Sequence, residues 1–171
     1  MAGNRALWAD IRRDLAGARN SSALAAERAA SLAERGPEMA PDIRFDRELA
    51  VGTLLHDCYC AMEAAMERLV EAVDGDRPAG GDYHAQLIRP AEIAIEGLRP
   101  AMISATTAKD LQALRSFRHT MCHGYGSFEY ARALPNVAIA LRGVDSFTNE
   151  ITAFCKIIAI LCDSPGEGRE T

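Results

Sequence analysis

Aromatic side chains are scarce, at 6% of 171 residues, and no segment alternates apolar and polar residues long enough to read as a strand. That leaves no basis for a sheet. Glycine and proline, at 13 and 7 residues, are too few for a disordered or collagen-like chain. The five cysteines are Cys58, Cys60, Cys122, Cys155 and Cys162. An odd count at scattered spacing is no disulfide framework, and no Cys-x-x-Cys pair offers a zinc site. They read as reduced thiols, mostly facing a core, in a reducing cytoplasm. Long apolar runs are missing too. The longest, Ile157 to Cys162, is far too short to span a membrane. Arg5, Asp10, Arg12 and Arg13 interrupt the N-terminus where a signal peptide would be apolar. The expectation is a cytoplasmic protein with no membrane partner.

Apolar residues are plentiful, at 49%, so one domain of this length can bury a core. Alanine and leucine dominate, and both lose little entropy in a helix. A first helix is predicted from about Asn4 to Arg35, with Ser21 and Ser22 as a weak point and Gly36-Pro37 as its stop. A loop follows to Phe45. A second helix runs from about Asp46 to Val73 on a stripe of Leu49, Leu54, Leu55, Met62, Met66, Leu69 and Val73. The run Asp74 to Gly81 reads as a turn. A third helix starts near Asp82, with Pro90 as a kink or break. Thr107 is the expected N-cap of a fourth helix ending near Gly124. A last helix spans about Tyr130 to Cys162, with Gly143 as a point where it can bend. The fold class is therefore all-α, an antiparallel bundle of four to five helices. It divides into an N-terminal helix (1–35), a helical bundle (36–162) that forms a single domain with it, and a flexible tail (163–171).

The net charge is -5, so the surface as a whole is no nucleic-acid binder, and RNA would need a local patch. One exists between Lys109 and His123: Lys109, Arg115 and Arg118 against Asp110, a balance of +2 with the histidines neutral. It contains Arg118-His119-Thr120-Met121-Cys122-His123-Gly124-Tyr125, two histidines, an arginine and a tyrosine within eight residues. These groups suit RNA cleavage by internal attack. Histidine exchanges protons near neutral pH. Arginine offers a fixed cation and a planar fork to phosphate oxygens. No metal or other cofactor is required. On a regular helix Arg118 and His123, five positions apart, point about 140° apart. Either the helix unwinds near Gly124 or a second chain completes the site.

Arg118, four residues, His123 and then Gly124-Tyr125 resemble the R-x4-H-x-Y motif of HEPN toxins of the HepT type. Asp82-Tyr83-His84-Ala85-Gln86-Leu87-Ile88 is similar to an upstream element of the same proteins, and Arg99-Pro100 with Leu111 to Phe117 also fits. The resemblance covers about Asp46 to Leu161. It implies a homodimeric, metal-independent endoribonuclease with its cleft at the dimer interface. Arg118 would stabilise the phosphate, His123 would act as acid or base and His119 would assist. It also implies a toxin–antitoxin pair of a type VII-like kind. The partner would be a nucleotidyltransferase antitoxin of the MntA type, which places AMP on Tyr125. Two departures stand out. His119 replaces the asparagine or aspartate of many HEPN proteins, and Met121 and Cys122 make the cleft less cationic.

Other readings stand beside this one. Arg118 alone is an ordinary helix arginine, paired to Glu129 or Asp110, and His123 a packed or capping histidine. His119 and His123, four apart, share a face and can hold a metal only with a third ligand. Tyr125 can simply pack its ring, and His84 reads as a cap or packing residue. Cys122 has no dedicated base and is no nucleophile. Asp57, Glu63, Glu67 and Glu71 read as a solvated acidic face or a docking surface for a basic partner, because the helix lacks the Glu-x-x-His pairs of bundle metal sites. The alternatives to an RNA-cleaving toxin are a non-catalytic HEPN dimer that binds RNA, a nucleotide or the nucleotidyltransferase, and a purely structural helical adaptor.

Overall fold

The computed structural model describes the backbone of residues 2–75, 83–123 and 128–163, and the side chains of residues 5–75, 87–122 and 128–158. The helix stop at Gly124, the turn over 76–81, the tail from 164 on and Tyr125 lie outside those residues, as do the side chains of His84, His123 and Cys162. Five α-helices are present among them: α1 (Ala2–Arg35), α2 (Pro41–Asp74), α3 (Tyr83–Glu92), α4 (Ala105–His123) and α5 (Tyr130–Asp163). No strand occurs among the described residues, as the missing alternation implied.

Helix α1 buries Ile11, Leu15, Ala18, Ala25, Ala29 and Leu32, a stripe at helical spacing. Its small residues let α2 come close: a Cβ placed on Gly17 would lie 3.9 Å from that of Ala61. The expected weak point does not break it. The Ser22 hydroxyl donates to the Arg19 carbonyl at 3.0 Å inside a continuous helix. A single 3-10 turn, Gly36–Glu38, follows. The second helix then starts at Pro41, five residues before the expected Asp46. Proline suits the first helical position, where its missing N–H costs nothing, and Asp42 complements the positive end of the helix. It stops at Gly75, whose φ of 74° glycine tolerates and whose N–H reaches the Glu71 carbonyl at 3.2 Å.

Pro90 does not split α3, which continues to Glu92. A tight turn around Gly97, also at φ 74°, leads to α4. The cap of α4 is Ser104 and not the expected Thr107. The Ser104 hydroxyl accepts the Thr107 N–H at 3.3 Å and donates to Glu150 at 2.7 Å, which leaves Thr107 buried inside the first turn. In α5 Gly143 marks a close approach: an added Cβ would sit 3.3 Å from that of Asp110.

The four long helices form the bundle, with α1 and α4 flanking the α2–α5 pair. Cross-links fix directions. Arg68 to Asp14 at 2.8 Å, with Gly17 against Ala61, sets α1 antiparallel to α2, and Arg142 to Asp110 at 2.7 Å, with Ser104 to Glu150, sets α4 antiparallel to α5. Tyr59, Met62, Met66, Leu111, Leu114, Phe147 and Ile151 fill the centre. No helix among the described residues is long and apolar enough to cross a membrane.

Candidate active site

Arg118 stands on the face of α4 that meets α2. It is half-buried, and its guanidinium hydrogen-bonds Cys60, with Glu63 close by on the same helix. Burial penalises its charge, but the Cys60 contact and the Glu63 carboxylate outweigh that and push its pKa up. The guanidinium is therefore a firm cation. Asp110 and Glu129, the partners expected of an ordinary arginine here, are engaged by Arg142 at 2.7 Å and Arg132 at 2.8 Å.

The α2 side of this seam holds groups the sequence reading did not assign to the site. Tyr59 is 1% exposed and donates to Glu63 Oε1 at 3.2 Å. Burial, and then the Glu63 carboxylate, raise the Tyr59 hydroxyl well above its ordinary value against the pull of Arg115 and Arg118. It stays a donor at any physiological pH. Glu63 itself is 7% exposed, which corrects the reading of residues 57–71 as one solvated acidic face. Asp57 and Glu71 are exposed, Glu67 is intermediate, and Glu63 faces inward. A signal was available. Residues 59, 62, 63 and 66 form an i, i+3, i+4, i+7 set, so Glu63 occupies a position on the apolar stripe.

One turn closer to the start of α2, His56 gathers both neighbouring thiols. Its Nε2 lies 3.7 Å from Cys60 Sγ and 3.6 Å from Cys122 Sγ, and its Nδ1 lies 3.2 Å from Asp57 Oδ1. His119 is exposed on α4 beside Arg118. The α4 backbone stays helical through His123, so the expected divergence of about 140° between positions 118 and 123 applies. Thus the seam unites Arg118 with Tyr59, Cys60 and Glu63, while His119 sits at its rim. His123 and Tyr125 follow in the chain, their side chains outside the described residues. Among the described residues no three His, Cys, Asp or Glu side chains are grouped to hold a metal ion.

Residues 50–158 match the family model of HepT-like proteins. The chain belongs to the HepT-like family. The matched stretch begins in α2 and ends in α5, so it contains both sides of the seam and leaves out α1. No curated protein and no solved structure matches the chain. The helical bundle seen here is accordingly the all-α, HEPN-like architecture of a HepT-like protein.

The thiols of this HepT-like chain differ enough to be tested. Burial pushes Cys58 and Cys155 up to about 12, with Cys60 adding to the shift at Cys58. Cys60 is pushed up by burial despite the pull of Arg118, and Cys122 is exposed. Because thiolates react and thiols do not, brief maleimide treatment of native protein at pH 8 should label Cys122 first and Cys60 more slowly. Cys58 and Cys155 should stay unlabelled until unfolding, as read by peptide mass mapping. The same shifts set a pH window. Keeping the two buried thiols neutral contributes stability that is complete below the ordinary thiol value of 9 and is lost as pH rises towards 12. Labelling of Cys58 as fast as Cys122 would show that the core face of α2 opens.

Proposed function

We propose that this HepT-like protein is a metal-independent endoribonuclease, the toxin of a type VII-like HEPN/nucleotidyltransferase toxin–antitoxin pair. The observation that carries the reading is Arg118, a half-buried fixed cation on the α2–α4 seam, followed on one helix by His119 and His123. In this reaction a base takes the proton of a ribose 2′-hydroxyl. The O2′–P bond forms and the P–O5′ bond breaks, leaving a 2′,3′-cyclic phosphate, and an acid protonates the departing 5′-oxygen. His123 serves as acid or base and His119 assists. Arg118 holds the phosphate with its planar fork, where charge accumulates in the transition state.

Arg118 and His123 diverge around one helix, so one chain alone does not aim both at a single phosphate. A homodimer brings the two copies of the motif to one cleft. Apolar side chains left over from the core support this: Ile43, Phe45 and Leu49 on α2 and Leu134 and Leu141 on α5 are 37–49% exposed. The nucleotidyltransferase partner, of the MntA type, silences the cleft by transferring AMP to Tyr125. A cytoplasmic location fits such a pair.

One observation favours the alternative of a HEPN dimer that binds RNA, a nucleotide or the partner without cutting. The immediate neighbours of Arg118 are Cys60, Glu63 and Cys122, where a strongly RNA-binding cleft would carry more cations. RNA cleavage in excess EDTA, wild type beside His123→Ala, separates the two. Cleavage by the wild type alone, leaving cyclic-phosphate ends, is the expected result. No cleavage by either, with Tyr125 shown unmodified by mass spectrometry, would leave the binding dimer.

A further inference from the structure

At the other end of the bundle, α1 and α5 enclose a groove of about 480 Å³. It is separated from the level of Arg118 by roughly 15–30 Å along the bundle, given the 1.5 Å rise per residue and the registers set by Asp110–Arg142, Asp14–Arg68 and Cys60 beside Arg118. Its floor is aliphatic and continuous with the core: Ile11, Leu15, Ile151 and Cys155. Trp8 forms a wall, and Arg5, Arg12 and Lys156 line the exposed edge beside Thr152. Arg19 pairs with Asp145 at 3.6 Å while residues 5–15 of α1 line the groove with residues 151–156 of α5, so the two helices run antiparallel and the three cations spread along the groove. From Arg5 to Leu15 the groove follows α1 for about 15 Å.

We propose that this groove is a binding site for a small amphiphilic anion, an acyl-chain carboxylate. The volume lies in the range of small-molecule sites, roughly 300–1,000 Å³, which are mostly apolar with a few convergent polar groups. Here every charged lining residue is a cation and none is acidic, in a chain whose net charge is -5. That selects an anion against the average field of the protein. The long aliphatic floor selects an extended chain, lying between Trp8 and α5 with its carboxylate at the arginine edge. Half of the groove belongs to α1, outside the stretch that matches the family, so the site does not rest on the proposed RNA chemistry.

Trp8 is the sole tryptophan, so its emission reports on the groove without a label. Titrating the full-length protein with dodecanoate below its micelle concentration should give a saturable blue shift with one site. The double variant Arg12→Ala/Lys156→Ala should weaken the apparent affinity about tenfold, since each exposed charge contributes modestly. Thr152→Phe, which fills the groove from an exposed position, should abolish the saturable response. Dodecyltrimethylammonium, with the same chain and the opposite charge, should bind far more weakly. Equal binding of the cation, or a dodecanoate response unchanged in both variants, would overturn the proposal. So would a response to phosphatidylglycerol vesicles with none to dodecanoate, which would make the groove a membrane-contact edge.

Discussion

Arg118→Ala should slow RNA cleavage by roughly 100- to 1,000-fold, the effect of removing one preorganised charge from a phosphate in its transition state. The argument rests on the placement of the side chain. A solvated arginine would meet phosphate only after collapsing from many rotamers. Arg118 is held on the seam by Cys60 and beside Glu63, so part of that ordering is complete before RNA arrives. Arg118→Lys keeps the charge and loses the planar fork, and its rate should fall between the two. Arg118→Ala has a structural side effect to separate out. It removes the cation beside Glu63, which is 7% exposed, and a buried carboxylate left with less support costs about 1–3 kcal/mol. Arg118→Ala/Glu63→Gln removes that penalty. It should recover the melting temperature while cleavage stays lost. Recovery of cleavage along with stability would make Arg118 a structural residue. A single variant within about threefold of wild type would remove it from the phosphate altogether.

The chain made its helices legible and its seam illegible, for a physical reason. Helical stripes are local. Ile11, Leu15, Ala18, Ala25 and Leu32 announce the buried face of α1 at their own spacing, and all are buried. The start of α2 was also local, in Pro41-Asp42, yet the aliphatic stripe from Leu49 onward drew the boundary inward to Asp46. The cap of α4 was not local. Ser104 and Thr107 both carry the right hydroxyl, and Glu150, 46 residues later, is what anchors Ser104. The candidate site divides the same way. Arg118, His119, His123 and Tyr125 lie within eight residues and stood out together. Tyr59, Cys60 and Glu63 reach Arg118, and His56 reaches Cys122, only because α2 packs antiparallel to α4, with 56 opposite 122 and 60 opposite 118. No periodicity in either helix encodes that register by itself. The one readable hint was a glutamate sitting on an apolar stripe. Close approach has the same non-local origin: a Cβ at Gly52 would come within 2.5 Å of the Phe128 ring, across a separation no turn or repeat connects.

Among the charged residues described, Arg99→Ala should be the most destabilising single substitution, at about 3–5 kcal/mol. The Arg99 side chain is completely buried, against 15% exposure for its partner Asp74. Its Nε donates to Asp74 Oδ1 at 2.6 Å and its Nη2 to Oδ2 at 2.7 Å, a bidentate pair. The remaining N–H groups donate to the carbonyls of Ile93 at 2.9 Å, Pro90 at 3.2 Å and Pro100 at 3.3 Å. One guanidinium thus joins the end of α2, the end of α3 and the turn before α4. Pro90 and Pro100 supply carbonyls but no donors of their own, so that stretch relies on Arg99. Alanine would leave a largely buried carboxylate and the carbonyls of Ile93 and Pro100 without their donor, while Pro90 keeps the Ile93 N–H at 3.2 Å. Arg99→Lys should be nearly as harmful, because an ammonium cannot reproduce the fork. In a protein of this size the loss corresponds to roughly 6–20 °C in Tm, and urea unfolding gives the free energy directly. Arg99→Met with Asp74→Leu should cost less than Arg99→Ala, since it removes both charges together and keeps volume. A single variant within about 1 kcal/mol of wild type would mean that water or a rearranged turn replaces the guanidinium, and that the α2–α3 junction is held by its apolar contacts.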